Sequence, residues 1–193
     1  MDEKIIIKLQ SLFRGYQIRK YILIPSNIYQ TKNWRLNQKW YKGGKMNECE
    51  KYQISLIEKI TKVKWKKTDE RINLETNKIE TINKIYNIEN GFDYTENFDG
   101  KIILKNITIY FNLKFICDRG GSQTRSLREV YHFIKSQLKI KNNSIYFINI
   151  IDGNTFNDYS IQFKYLKNKI INKQVFIGDL SEFQKYYYFF KEK

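Results

Sequence analysis

The sequence predicts an α/β domain built in layers, a mixed β-sheet flanked by helices, with a helical arm in front of it. Three features carry that prediction. Residues 107–116 alternate with period two, placing Ile109, Phe111, Leu113 and Phe115 on one face and Tyr110, Asn112, Lys114 and Ile116 on the other. Residues 144–151, SIYFINII, are apolar nearly throughout, as expected of a central strand covered on both faces. Around them lie segments whose apolar residues return every three to four positions, the helical period.

A chain of 193 residues is one domain, or one domain with an arm, and is long enough to bury a core. It contains no alanine and one proline, and it is rich in Ile, Lys, Asn, Tyr and Phe. AT-rich codons account for part of that mix, including part of the lysine. A net charge of +15 nevertheless favours a polyanionic partner, nucleic acid first, with salt-dependent binding. Cys49, Cys117 and the lone His132 have no metal-ligand spacing, which argues against a zinc site; two reduced thiols suit a reducing compartment. No apolar run approaches spanning length, and the N-terminus lacks a secretory signal, so a soluble intracellular protein is expected.

Residues 4–23 read as a helix ending before Pro25, with Ile6, Leu9, Phe13 and Tyr21 at helical spacing. Within it Leu9-Gln10, Arg14-Gly15 and Arg19 resemble the IQ motif, with Leu for the commoner Ile. That resemblance implies a calmodulin-type partner gripping the apolar face around Phe13 while its acidic rim meets Arg14 and Arg19. Domain boundaries follow: residues 1–24 as the IQ helix, residues 25–193 as the α/β domain. Residues 24–46 are expected to be a connector, in which Trp34 and Trp40 plug the start of the core. Lys42 and Lys45, beside Gly43-Gly44, either contact phosphate or are merely solvated. Residues 47–66 read as a helix through Tyr52, Leu56, Ile60 and Val63, where Glu48 and Glu50 complement the helix dipole. A basic loop follows, then a second amphipathic helix over residues 73–88 carrying Glu80 and ending at Asn90-Gly91. Beyond the central strand pair come a helix through Leu127, Val130, Ile134 and Leu138, the strand 144–151, a helix over 160–171, the strand QVFIGDL and a helical tail from Ser181.

An Asp-Gly at a strand end (Asp99-Gly100), then a strand carrying Asn112-Leu113-Lys114, then a helix, resembles the PD-(D/E)xK nucleases of the restriction-endonuclease-like fold. The resemblance spans residues 70–180. It implies a DNA endonuclease in which Asp99, Asn112 and a carboxylate from Glu96 or Glu80 hold Mg²⁺, or Mn²⁺ in its place. Lys114 would then stabilise developing charge. Phe98 stands where the motif often has Pro, and Asn112 where it has Asp or Glu, which removes a charge from the metal site. An alternative is therefore a catalytically degenerate DNA-binding or packaging protein, and another is a calmodulin-binding adaptor. A homodimer is compatible with this reading.

The approach to the next helix, CDRGGSQTRSLRE, concentrates Arg119, Gln123, Arg125 and Arg128 around a Gly-Gly pair and a helix N-terminus. Those side chains and backbone amides suit phosphate and purine edges. His132 is expected on the helix surface. The pairing of an IQ arm with a nuclease-like core suggests a large DNA virus or a low-GC eukaryote as source.

Overall fold

A computed structural model describes residues 24, 28–43, 45, 47–82, 84–117, 121–153, 160–170 and 174–191. The IQ segment with Leu9, Gln10, Phe13, Arg14, Gly15 and Arg19, together with Arg119 and the side chain of Gln123, lies outside them.

The centre is a four-stranded mixed sheet of β3 (Gly100–Leu104), β4 (Ile107–Ile116), β5 (Ile145–Gly153) and β6 (Val175–Gly178). The strands lie side by side in that order. β3 and β4 form an antiparallel hairpin through Lys105-Asn106, with Lys105 at φ 49°. β4, β5 and β6 are parallel. Parallel neighbours need crossover connections. Here these are α3 (Gly121–Gln137) between β4 and β5, and α4 (Ser160–Lys169) between β5 and β6.

The alternation in β4 divides the core as its sequence implies. Tyr110 and Ile116 join Phe147, Ile151 and Ile177 beneath Leu127, Val130, Phe133 and Ile134 of α3. On the opposite face Ile109, Phe111 and Leu113 join Ile148 and Ile150. That second face is covered by Leu56 and Ile57 of α2 (Glu48–Thr61) and by Leu180, Phe183 and Tyr187 of α5 (Leu180–Lys191). The result is a mixed sheet between helical layers. Each large apolar side chain removed from water this way contributes roughly 1.5–3 kcal/mol.

Three expectations are corrected. Residues 73–88 are not a helix. β1 (Glu70–Ile72) and β2 (Ile79–Thr81) form a small antiparallel hairpin, followed by 3₁₀ turns at Ile85–Asn87 and Gly91–Asp93. The reason is turn chemistry: Asn73 Oδ1 accepts the N–H groups of Glu75 and Thr76, both at 3.0 Å, and Asn77 takes φ 53°. The spacing of Ile79, Ile82 and Tyr86 only mimics a helical stripe, and Tyr86 is 92% exposed. The connector over 24–46 also contains a helix, α1 (Ile28–Leu36). Trp34 packs against Tyr52 and Phe115, and Trp40 stacks on Tyr52; both tryptophans are half-buried and form an aromatic group outside the two core faces, which only Tyr52 touches, where the sequence suggested a plug in the core.

A polar knot joins the small hairpin to the sheet. The Glu70 carboxylate on β1 accepts from Thr68 Oγ1, Lys101 Nζ and, at 2.9 Å, Tyr110 Oη. Burial alone would push the Glu70 carboxyl up, but those three donors outweigh it and hold it below the usual range.

Candidate functional site

Phe98 is wholly buried against Tyr110, Phe133 and Phe147. Where the nuclease motif often has Pro, this chain has a core anchor, and the anchor fixes Asp99. Asp99 sits just before β3 begins, beside β4: its N–H donates to the Phe111 carbonyl at 3.0 Å. Its Oδ2 accepts the Leu113 N–H at 2.6 Å, so the carboxylate continues the ladder where the strand has not started. The glycine that follows is required by space, because a Cβ on Gly100 would lie 2.3 Å from the Trp65 ring.

Burial raises the Asp99 carboxyl from its ordinary 3.8 to about 6. The Leu113 N–H and the Lys114 charge oppose that rise, while the charges of Glu50 and Glu96 add to it. Three carboxylates therefore share one electrostatic neighbourhood with one lysine. Lys114 lines two pockets. One, of about 320 Å³, is also lined by Asn112, Glu96, Arg125 and Arg128. The other, of about 340 Å³, is also lined by Arg35, Lys45, Cys49, Glu50 and Gln53. Arg125, Arg128, Lys42 and Lys45 are exposed, and His132 lies on the surface of α3 as expected.

Two expected ligands go elsewhere. Asn112 is 5% exposed and faces Asn149 across the β4–β5 register. Its Nδ2 donates to Asn149 Oδ1 at 3.3 Å. Gln137 of α3 donates to the same oxygen at 3.1 Å, and Asn149 Nδ2 returns bonds to Gln137 Oε1 and the Phe176 carbonyl at 2.8 and 3.0 Å. Position 112 is thus one end of a buried amide chain joining β4, β5, β6 and α3, which explains an uncharged residue there. Glu80 lies on strand β2, not on a helix, and its carboxylate accepts from Tyr94 Oη at 2.9 Å, away from Asp99. Glu96 stays near the site with an exposed side chain, 3.9 Å from Arg71. Among the described residues, no three or more His, Cys, Asp or Glu side chains gather to hold a metal ion.

Residues 3–23 match the family model of the IQ calmodulin-binding motif. A calmodulin-like partner is what that match suggests. No curated protein matches the chain, and no solved structure does. Among the described residues, no helix is long and apolar enough to cross a membrane.

Several site residues escape a reading by sequence. Glu50 and Gln53 are three apart on α2, hence on one helix face, and both reach the Lys114 pocket. The spacing was visible, but Glu50 has a sufficient explanation as a dipole charge. Gln53 is 1% exposed; its Nε2 donates to the Lys114 carbonyl at 3.0 Å and to Asp152 Oδ2 at 2.6 Å. Its Oε1 has no hydrogen-bond partner among the described residues. Asp152, which reads as a turn residue, is buried at the end of β5 and also accepts the Leu180 N–H at 3.2 Å. Burial raises its carboxyl to about 7 against the pull of those two donors. Asp152 and Gln53 together lock α2 and the start of α5 onto the C-terminal ends of β4 and β5. Cys49 lines the same pocket as Arg35, and its thiol is lowered to about 7, chiefly by Cys117 and also by Arg35, against the opposing pull of burial.

Proposed function

We propose that residues 25–193 form a nucleic-acid-binding domain of restriction-endonuclease-like architecture that hydrolyses DNA phosphodiester bonds with Mg²⁺, or with Mn²⁺ in its place. Residues 1–24 would be an arm for a calmodulin-type partner. One observation carries the reading: a desolvated carboxylate, Asp99, is fixed beside β4 next to Lys114, with Glu50 and Glu96 near enough to raise its proton affinity. The order of hairpin, crossover helix and parallel strand around it supports the same architecture.

The donor chemistry fits a hard cation. Mg²⁺ takes oxygen ligands and is held by one or two carboxylates, with water and substrate phosphate completing its shell. Asp99 and Glu50 would supply the carboxylates, and the unpartnered Gln53 Oε1 a neutral oxygen. A bound divalent cation neutralises the phosphate and makes attack by water easier. Lys114 brings a fixed positive charge to where phosphate oxygens gather charge. Arg125 and Arg128 line the other of the two Lys114 pockets, not the one with Glu50 and Gln53, and would hold the backbone on that side of the lysine. Lys42, Lys45, Arg119 and Gln123 would extend that contact.

The test is nicking of plasmid by the purified chain with Mg²⁺ or Mn²⁺, compared with Asp99→Ala, Glu50→Ala and Lys114→Ala. Cleavage that survives all three changes would place the chemistry elsewhere. Absence of cleavage together with tight, salt-sensitive DNA binding would select a non-catalytic binding protein. The IQ match favours a second reading, an adaptor for a calmodulin-like protein. It predicts that Arg14→Glu in the full chain abolishes a calmodulin gel shift and leaves DNA binding intact.

A further inference from the structure

Tyr86 and Phe92 are large aromatic side chains left 92% and 96% exposed. They stand on the two 3₁₀ turns, Ile85–Asn87 and Gly91–Asp93, that follow the small hairpin. The turns are packed closely, because a Cβ on Gly91 would lie 2.4 Å from the Ile85 carbonyl oxygen. The second turn is tied back to the hairpin by the Leu74 N–H, which donates to the Asp93 carbonyl at 2.7 Å. Both rings are therefore presented to water from a fixed support, where their apolar surface adds nothing to the stability of the fold. Both line a pocket of about 250 Å³. Arg71 lines it too; its Nη1 donates to the Thr95 carbonyl at 2.9 Å, and its buried Nε–H has no acceptor among the described residues.

Thr95 and Glu96 line this pocket and also the 320 Å³ pocket that carries Lys114, Arg125 and Arg128. The two cavities are neighbours with different chemistry. The larger sets three cations against the acids Glu96 and Glu129, so it favours phosphate. The smaller offers aromatic faces and a donor, while Glu89 and Glu96 repel phosphate from it. A phosphodiester therefore belongs on the first side. A neutral base, whose face stacks on a ring and whose edge accepts a hydrogen bond, belongs on the second. Bases of an intact duplex are already stacked on each other, so an unpaired nucleotide supplies such a face at least cost. We infer that Tyr86 and Phe92 form a stacking subsite for an unpaired base of a DNA strand whose backbone crosses the pocket of Lys114, Arg125 and Arg128. The inference rests on the reading of the chain as a nucleic-acid-binding protein, and it names the substrate class: DNA with unpaired nucleotides, as in a single strand, a gap or a flap. It does not require cleavage.

The experiment measures fluorescence anisotropy of the full chain, in EDTA, with a labelled single-stranded DNA, the same strand made abasic, and the corresponding duplex. The single strand should bind more tightly than its abasic form. Tyr86→Ala and Phe92→Ala should each weaken single-strand binding roughly tenfold, the loss of one stacked base. Neither should change the salt slope, because the phosphate contacts are elsewhere. Tyr86→Phe should bind as the wild type does, since stacking needs the ring and not the hydroxyl. Thermal unfolding of the variants confirms that they fold. Equal affinity for the abasic and base-bearing strands, or alanine variants that leave single-strand binding intact or weaken all three ligands alike, would overturn the inference and leave the nucleic-acid reading standing. Absence of binding to all three would overturn both.

Discussion

Replacing Asp99 with Asn should stabilise the metal-free protein, and by an amount that depends on pH. The carboxyl titrates near 3.8 when unperturbed and at about 6 in the fold, because burial disfavours its charge. A group whose folded pKa is raised costs stability as pH climbs through the interval, with the full cost present above the folded value. At about 1.4 kcal/mol per pH unit the ceiling is about 3 kcal/mol. Asp99 is not sealed from water, so a gain of roughly 1–3 kcal/mol is expected. Asn keeps an oxygen for the Leu113 N–H and carries no charge to desolvate. For a chain of this size the change corresponds to a rise of roughly 3–10 °C in Tm. Urea unfolding followed by tryptophan fluorescence, in EDTA from pH 4 to 8, measures it directly. The two proteins should be equally stable near pH 4 and diverge through pH 6, and Mg²⁺ should narrow the gap by stabilising only the wild type. A variant that is less stable at pH 8, or a gap that ignores pH, would refute the reasoning.

Other perturbations separate scaffold from site. Gly153→Ala should abolish folding or cost more than about 3 kcal/mol, because φ is +96° and the new Cβ would lie 1.8 Å from the Ile116 carbonyl oxygen; loss of soluble expression or a collapsed Tm reports it. Asp152→Ala should cost roughly 1–3 kcal/mol in denaturant unfolding at about pH 5, where the carboxyl is already neutral, since the Leu180 N–H and one Gln53 Nε2 hydrogen lose their acceptor, and less at about pH 8, where the variant is relieved of a buried charge. Asn112→Ala should cost roughly 1–3 kcal/mol by cutting the amide chain, with no effect on Mg²⁺ titration if position 112 is structural. Arg125→Ala with Arg128→Ala should weaken DNA binding uniformly across sequences and flatten the log Kd against log salt slope by about 0.9 for each phosphate no longer neutralised.

Long elements with a single strong period were legible. The alternation of β4, the apolar run of β5 and the stripe of α3 each specify one structure, and the mixed sheet between helices follows from their order. The hairpin over 70–81 was not, because Asn73 and Asn77 decide it through a side-chain turn and a left-handed residue, while the apolar spacing imitates a helix. Of the candidate site, the nearness of Asp99 to Lys114 was legible because both lie on the strand pair. The site was not legible where tertiary contact assigns the role. Asn112 belongs to an amide chain whose other members are 25 and 37 positions away, and Glu80 follows its strand to a different partner. Gln53 and Asp152 acquire meaning only when α2 meets the ends of β4 and β5.

The placement of the strands has a consequence for solubility. The stickiest segments, Tyr110–Phe111 in β4 and the SIYFINII run in β5, occupy the two interior positions of the sheet. Its borders are poor templates for strand addition. The outer side of β3 is met by Lys66, which exchanges two backbone hydrogen bonds with Lys101 at 2.9 and 2.7 Å. β6 is only four residues long and runs at once into α5. A folded copy thus offers little for a neighbour to extend, whereas a partly opened one releases two long aggregation-prone strands together. Losses of solubility in variants of this chain should therefore track unfolding of the β4–β5 pair and not surface charge, which a net +15 keeps high.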